Sequence, residues 1–135
     1  MKQDMKKWMF RIVNSTDRKA MPIMTYPGLA MTGKGIMDVI SNGGSQSKCI
    51  EALSKQYPSI AAMTIMDLSV EAEAFGSPVT FSDTDVPTVS SRIVQDMESA
   101  ESLSVPSIGS GRTLAYLKAA ELASRSIKDR PVFGG

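Results

Sequence analysis

The sequence predicts an α/β fold, because short apolar runs alternate with helical patterns along its 135 residues. The strand candidates are the mostly apolar segments 21–25, 61–66 and 131–133. Because helical patterns separate these segments, we expect them to pair in parallel through βαβ units. About three parallel strands with helical crossovers cannot close a barrel, so the chain is either a small open α/β domain or the front portion of a barrel.

The chain opens on an amphipathic helix, expected over 3–14. Its basic residues Lys6, Lys7 and Arg11 are expected to face water, opposite an apolar stripe with helical spacing. The stripe consists of Met5, Trp8, Met9, Ile12 and Val13.

Further helical patterns separate the strand candidates. They cover 35–41, 46–56, 69–75, 92–103 and 112–127, and the last is the clearest because its leucines recur near a 3.6 period. Residues 79–81 favour an extended piece. Turn-rich segments at 26–28, 82–91 and 105–112 predict loops.

Composition excludes several classes of function. With Lys+Arg 15 against Asp+Glu 14, the net charge of +1 gives no field that would attract nucleic acid or an acidic membrane. The absence of histidine rules out a Ser-His-Asp triad and an HExxH zinc site, so no metal ligands are assigned. The single cysteine, Cys49, forms no internal disulfide and is expected in the core. No apolar run predicts a membrane span or secretory signal, so a cytoplasmic location is expected.

Asp67 is the candidate catalytic residue, because it directly follows the strand candidate 61–66 and precedes a helical turn. Carboxylates at strand ends, before strand-to-helix loops, carry the chemistry of α/β barrels. The same position also suits a cap for the following helix, and the two roles are compatible. Tyr26 follows the first strand candidate and is assigned, with Asp67, to substrate binding; packing in the core is the alternative.

Other polar residues have simpler explanations. Glu71 and Glu73 are expected to be solvated helix charges. The sequence GSGR, which ends at Arg112, could bind an anion at a helix N-terminus, but a flexible link with Arg112 on the surface is favoured. Gly33-Lys34-Gly35 lacks the spacing of a P-loop and predicts a turn.

Several segments, taken in order, match a known superfamily. They are Asp17-Arg18 ahead of Pro22, the run MDLSVEAEAFG at 66–76, DVPTV at 85–89, LSVP at 103–106, Gly111-Arg112 opening a helix, and the terminal PVFGG at 131–135. Together they resemble the uroporphyrinogen decarboxylase superfamily, and most closely its methylcobamide:coenzyme M methyltransferase branch. The resemblance implies the N-terminal portion of a TIM-type (β/α)8 barrel. The whole of 1–135 is then a single partial barrel domain, with helix 3–14 followed by βα units over 21–135.

The resemblance also implies a chemistry. Asp67 matches the catalytic aspartate of the decarboxylases, but the segment TYPGLAM at 25–31 lacks the carboxylate-binding arginines that they carry. The methyltransferase branch activates a thiol on zinc and transfers methyl to it from a methylated corrinoid. The zinc ligands of that branch lie late in the barrel, beyond the region matched here, so no cofactor is expected within this chain and the fragment alone is expected to be inactive. A corrinoid protein or a small thiol substrate is the implied partner.

Two alternatives to the methyltransferase reading remain. One is a non-enzymatic truncated remnant that acts as an oligomerising module, because three strands leave an unpaired edge and an uncovered apolar face. A homo-oligomer is expected on the same ground. The other is a uroporphyrinogen decarboxylase of porphyrin biosynthesis.

Overall fold

A computed structural model describes residues 3–134. Seven helices and four short strands occur within that range. The helices are α1 (Met5–Val13), α2 (Pro27–Thr32), α3 (Ile36–Ser41), α4 (Gly43–Gln56), α5 (Val70–Ala74), α6 (Met97–Glu101) and α7 (Thr113–Ser126). The strands are β1 (Ala62–Met63), β2 (Val79–Thr80), β3 (Thr88–Val89) and β4 (Val132–Phe133). Residues 1, 2 and 135 of the domain predicted over 1–135 lie outside the described part.

Strands β1 and β4 pair in parallel, so the predicted α/β class is confirmed. Ala62 pairs with Val132 and Met63 with Phe133. The Ala62 amide donates to the Pro131 carbonyl at 2.9 Å. Helices α5, α6 and α7 form the crossover between the two strands. Both strands are shorter than the segments that the apolar runs predicted.

The predicted first strand, 21–25, is not a strand in the structure, so the expectation of about three parallel strands is wrong by one. One backbone hydrogen bond ties the region to the β1 segment, from the Ile60 amide to the Ala20 carbonyl at 3.0 Å. Within the segment Pro22 has no amide to donate, and Met21 and Ile23 are exposed. The apolar composition of 21–25 is therefore not sufficient for this segment to pair as a strand.

A second correction concerns 82–91, which was predicted to be a loop throughout. The end of this segment forms β3, which pairs antiparallel with β2 through Val79–Val89 and Thr80–Thr88. The two paired residues on each side give a small ribbon that lies outside the parallel sheet. The extended piece predicted at 79–81 corresponds to β2.

Helix α1 agrees with the amphipathic helix predicted over 3–14, and its start is explained by capping. The Asp4 carboxylate accepts hydrogen bonds from the amides of Lys6 and Lys7, both at 3.1 Å. Trp8 on this helix contacts Phe133 of β4, with ring centroids 5.7 Å apart. The N-terminal helix is therefore joined to the parallel sheet through an aromatic pair.

Helix α2 occupies a position where the sequence predicted a loop at 26–28. Pro27 opens the helix at a position where its missing amide costs nothing. Gly28 then lets α2 approach α4 closely, since a Cβ at Gly28 would lie 2.9 Å from the Cβ of Cys49. Gly33, with a positive φ of 64°, ends the helix. Pro27 therefore begins the helix, and Gly28 allows its close contact with α4.

Helices α4 and α7 pack against each other and over β1. Gly43 is the point of closest approach, because a Cβ there would lie 2.5 Å from the Ala115 carbonyl oxygen. One core cluster joins Ile50 of α4 and Ala62 of β1 to Ala119 and other residues of α7. A second cluster extends from α3 through Cys49 and Ile65 to Tyr116. The helix pair therefore fixes α7, and with it the residues at the start of α7, relative to β1.

Within residues 3–134, no helix combines the length and the apolar character that crossing a bilayer requires.

Candidate functional site

Asp67 lies four residues after the end of β1, and its carboxylate accepts four hydrogen bonds. Oδ1 accepts from the Ser69 amide at 2.9 Å and from the Ser69 hydroxyl at 2.6 Å. Oδ2 accepts from Nη1 of Arg112 at 2.6 Å and from the Tyr116 hydroxyl at 2.7 Å. The side chain is only 1% exposed. Since an ionised carboxylate has about four lone-pair positions, this acceptor is fully used.

Arg112 connects this carboxylate to a second one. Its Nε donates to Oε2 of Glu73 at 2.5 Å, while Nη2 donates to the Ser69 hydroxyl at 2.8 Å. Its side chain is 9% exposed, and the ring of Phe81 lies 5.0 Å from the guanidinium carbon. The expectation that Arg112 lies on the surface is therefore wrong, as is the expectation that Glu73 is a solvated charge. We refer to Asp67, Ser69, Glu73, Arg112 and Tyr116 as the Asp67 network.

The backbone before α7 explains how Arg112 reaches the network. Gly109 and Gly111 have φ of 87° and 55°, in the left-handed region that favours glycine. These two turns lead the chain into α7 with Arg112 as the residue before the first helical position. Tyr116 lies four residues later, on the same helix face, so both side chains reach Asp67. The GSGR sequence is thus an ordered entry to the helix.

Tyr26 is the residue before α2, and it packs against the core cluster that contains Tyr116. Burial raises the pKa of its hydroxyl, and the nearby Asp67 charge raises that pKa further while Arg112 lowers it. The structure thus brings Tyr26 into the electrostatic environment of Asp67. The assignment of Tyr26 and Asp67 to substrate binding, and of Asp67 to catalysis, stays a prediction.

The network keeps Asp67 ionised at neutral pH. Burial raises the pKa of the carboxyl group, but the hydrogen bonds from Ser69, Arg112 and Tyr116 together lower it below its usual range. Burial and the bond to Asp67 raise the pKa of Tyr116, so its hydroxyl stays protonated and remains a donor. Ionised at neutral pH, Asp67 can balance positive charge, whereas it has no proton to give as a general acid.

An apolar groove of about 300 Å³ lies beside the network. Tyr116 forms part of its wall, together with Val70, Phe75, Ile108 and Leu117, while Asp67 and Tyr26 do not line it. Tyr116 therefore has two environments, since its ring borders the groove and its hydroxyl is bonded to Asp67. The side chain separates the buried acid from the groove.

The residues of this chain do not fit a zinc site. Among residues 3–134, no group of three His, Cys, Asp or Glu side chains lies close enough to hold a metal ion. Cys49 is buried between α2 and α4, where its sulfur lies 3.1 Å from the Thr32 hydroxyl. Zinc in proteins favours histidine and cysteine ligands, and this chain offers one buried thiol and no imidazole.

Sequence reasoning missed most of the network. Ser69 had a detectable signal, because a hydroxyl two residues after an aspartate is typical of a local side-chain turn. Arg112 and Tyr116 share one face of the clearest helix, but nothing local indicates which carboxylate they meet. Their bonds to Asp67 span 45 and 49 residues.

Comparisons with known proteins identify the family from the sequence and the fold from the structure. The sequence profile of the uroporphyrinogen decarboxylase family matches residues 12–135. A comparison with curated proteins found no match. The solved structure of a methyltransferase from Methanosarcina mazei has a TM-score of 0.74 and 18% identity, and the match covers 96% of this chain. It covers 41% of that methyltransferase, so the chain spans about two fifths of its length. At this identity the likeness shows a shared fold.

Proposed function

Because the chain belongs to the uroporphyrinogen decarboxylase family, we propose that it forms the N-terminal portion of a TIM-type barrel whose complete form transfers methyl from a methylated corrinoid to a thiol. The observation that carries the proposal is the buried, ionised Asp67 after the carboxyl end of β1. In such barrels this edge of the sheet carries the chemistry. The parallel pairing of β1 with β4 across helix α7 supports the barrel.

The likeness in fold to a methyltransferase, rather than the match to the family, favours this branch. The segment 25–31 points the same way, because it lacks the arginines expected of a decarboxylase. Arg112 does not replace them, since its guanidinium already binds Asp67, Glu73 and Ser69. A porphyrinogen carboxylate would have to compete with two protein carboxylates for this cation.

The proposed contribution of this chain is limited to its own residues. Asp67 supplies a fixed negative charge at the carboxyl edge of the sheet, and Tyr26 supplies a neighbouring hydroxyl. Because residues 3–134 hold no donor set for zinc, thiol activation on zinc is assigned to none of them. The proposed partners are a small thiol and a corrinoid or corrinoid protein, and the proposed location is the cytoplasm.

The test is methyl transfer by the longest polypeptide encoded in the reading frame that contains residues 1–135. Methylcobalamin and 2-mercaptoethanesulfonate are the substrates, and cobalt–carbon cleavage is followed by visible absorbance. The transfer forms a sulfur–carbon bond, releases the thiol proton to solvent, and leaves the electron pair of the broken bond on cobalt. Thiol-dependent methyl loss that falls in Asp67→Asn but not in the surface control Asp129→Asn would support the proposal.

Two outcomes would overturn this proposal. The first is a reading frame that encodes neither further barrel strands nor a His-x-Cys pattern. The second is an encoded polypeptide that removes carboxyl groups from uroporphyrinogen and leaves methylcobalamin intact, which would establish the decarboxylase instead.

A second candidate function, an oligomerising module, is favoured by the exposed apolar side chains of α7. Leu114 and Leu117 of α7 and Ile108 before it are exposed, and in the described part of the chain β4 pairs only with β1. Such a surface and edge can associate with a second copy. Light scattering of the purified chain tests this candidate, and a monomer that unfolds cooperatively would exclude it.

A further inference from the structure

We propose that Arg112 and Tyr116 are positioning residues that fix the orientation of the Asp67 carboxylate. The inference rests on the proposed function for what the acid does once it is oriented. The hydrogen bonds that fix the orientation are a property of residues 3–134, so their effect on the pKa of Asp67 can be measured without any substrate.

The two oxygens of Asp67 are anchored from two directions. Oδ1 is held locally by Ser69, within the loop that follows β1. Oδ2 is held by Arg112 and Tyr116, which come from the start of α7. Anchors on both oxygens determine the position of the carboxylate and also the plane in which it lies. If the hydrogen bonds from Arg112 and Tyr116 were removed, Ser69 would hold only Oδ1, and the plane of the carboxylate would no longer be fixed.

Arg112 is itself held in place, which a positioning role requires. Glu73 of α5 binds its Nε, and Phe81 covers one face of the guanidinium. These contacts orient the planar fork before it reaches Asp67, so little freedom is lost when the Asp67 bond forms. Glu73 therefore helps to hold Arg112 in place, and Arg112 in turn holds Asp67.

Stability alone is a weak explanation for this arrangement. Burying a guanidinium and a carboxylate costs desolvation energy that their attraction often fails to recover, and apolar residues of similar size often stabilise as well or better. The Asp67 network places one buried carboxylate and one partly buried carboxylate around one arginine at the edge of the core. An acid with a fixed orientation is a gain that apolar packing cannot supply.

Tyr116 offers the cleaner of the two tests. Its ring packs in the core cluster and lines the groove, while only its hydroxyl contacts Asp67. Tyr116→Phe therefore removes one hydrogen-bond donor and keeps the packing. A tyrosine with a purely structural role would lose little by this change.

The experiment measures the pKa of Asp67 by carbon NMR in the chain labelled at its aspartate carboxyl carbons. Among the described residues, the charged or titratable groups that face Asp67 are Arg112 at the N-terminal end of α7, Tyr116 on α7, Glu73 on α5 and Tyr26 before α2. Arg112→Gln and Tyr116→Phe should each raise the pKa. Arg112→Lys should raise it less than Arg112→Gln, since lysine keeps the charge but not the fork.

Matched controls use the same substitutions elsewhere. Arg125→Gln removes an arginine whose partner is the exposed Glu121, and Tyr57→Phe removes a hydroxyl from an exposed ring. Both should leave the titration of Asp67 unchanged. Circular dichroism verifies that each variant is folded, and Tyr116→Phe remains informative if the Arg112 variants unfold.

The outcomes separate this inference from the proposed function. An unchanged Asp67 titration in folded Tyr116→Phe and Arg112→Lys would overturn the positioning role, whatever the catalytic assay gives. If the titration shifts as expected, methyl transfer by the longer polypeptide carrying Arg112→Lys should fall in kcat on the order of 100-fold, as for a misplaced group of the site, with little change in KM. Equal turnover by that variant would also overturn the positioning role, whereas absence of turnover in the unsubstituted polypeptide counts against the proposed function alone.

Discussion

Replacing Asp67 by asparagine tests whether the network is formed in solution. The substitution keeps the size of the side chain and removes its charge. One of the two carboxylate oxygens becomes an NH2 group, which itself donates. Placed at Oδ1 it would face the Ser69 donors, and placed at Oδ2 it would face Arg112 and Tyr116. In either orientation a buried pair of donors loses its acceptor.

The expected loss of stability follows from these contacts. A hydrogen bond to a charged group contributes about 1.5–3 kcal/mol, and a buried donor left unpaired costs about 1–3 kcal/mol. Arg112 keeps Glu73 as a counter-charge, so its charge is not left isolated. The total loss of stability should therefore be about 3 kcal/mol, at the low end of the range of about 3–5 kcal/mol for breaking a buried ion pair.

Urea unfolding followed by far-ultraviolet circular dichroism measures this loss. With a dependence on urea of about 2 kcal/mol per molar, typical of small proteins, a loss of about 3 kcal/mol lowers the midpoint by about 1.5 M. The matched control is Asp129→Asn, which removes a carboxylate that is 64% exposed and paired with Arg130. Exposed pairs contribute about 0–1 kcal/mol, so the control midpoint should move by about 0.5 M at most.

The difference between the two proteins should also depend on pH. The pKa of Asp67 is lowered in the folded state, so its contribution to stability is fully present above the unfolded pKa of about 4. That contribution is lost as the pH falls through the lowered folded pKa. The stability gap between the unsubstituted chain and Asp67→Asn should thus be constant from pH 7 down to about pH 5 and narrow at lower pH. Equal midpoints for Asp67→Asn and Asp129→Asn at pH 7 would refute the buried network.

Three other perturbations probe the frame that holds the site. Gly43→Ala should destabilise the chain by about 1–3 kcal/mol in urea, because its Cβ would lie 2.5 Å from the Ala115 carbonyl and separate α4 from α7. Trp8→Ala should lower the free energy of unfolding by at least about 1 kcal/mol, because it removes the ring contact with Phe133. Cys49, fully buried, should resist a thiol reagent in the folded chain and react at once in denaturing urea.

Each of these expectations has a contrasting measurement. Gly134→Ala adds a Cβ with no atom within 4 Å, so it should leave the midpoint unchanged. Phe10→Ala removes a ring that is largely exposed on α1 and should cost less than Trp8→Ala. A rapid reaction of Cys49 under native conditions would show that α2 and α4 separate easily, contrary to the close packing of Gly28 against Cys49.

Local patterns predicted the elements that depend on local chemistry. These elements depend only on contiguous residues. They are the amphipathic spacing of α1, the helical period of the leucines in α7, and the position of Asp67 after an apolar run. The correct parallel pairing of β1 with β4 followed from the order of strands and helices, which permits a crossover connection. These features were accessible without knowledge of any distant contact.

The failures arose where a distant partner decides the structure. The segment 21–25 has the apolar character of a strand, yet extended backbone becomes a strand only where a neighbour supplies the ladder. Pro27 and Gly28 are typical of a turn, but they begin α2, because Pro27 suits the first helical position and Gly28 fits against Cys49. Both misassignments have the same origin. The sequence pattern involves neighbouring residues, whereas the contacts that decide the structure involve residues distant along the chain.

Arg112 is the clearest case, and it links the site to the fold. Its partners Glu73 and Asp67 lie 39 and 45 residues away along the chain, on the far side of the crossover segment that precedes α7. The same docking of α7 that buries Ala119 against β1 therefore also delivers Arg112 and Tyr116 to the acid. A substitution that loosens α7 without touching the network, such as Gly43→Ala, should thus raise the pKa of Asp67 in the chains that remain folded. A normal titration of Asp67 in folded Gly43→Ala would show instead that the site forms independently of the helix packing.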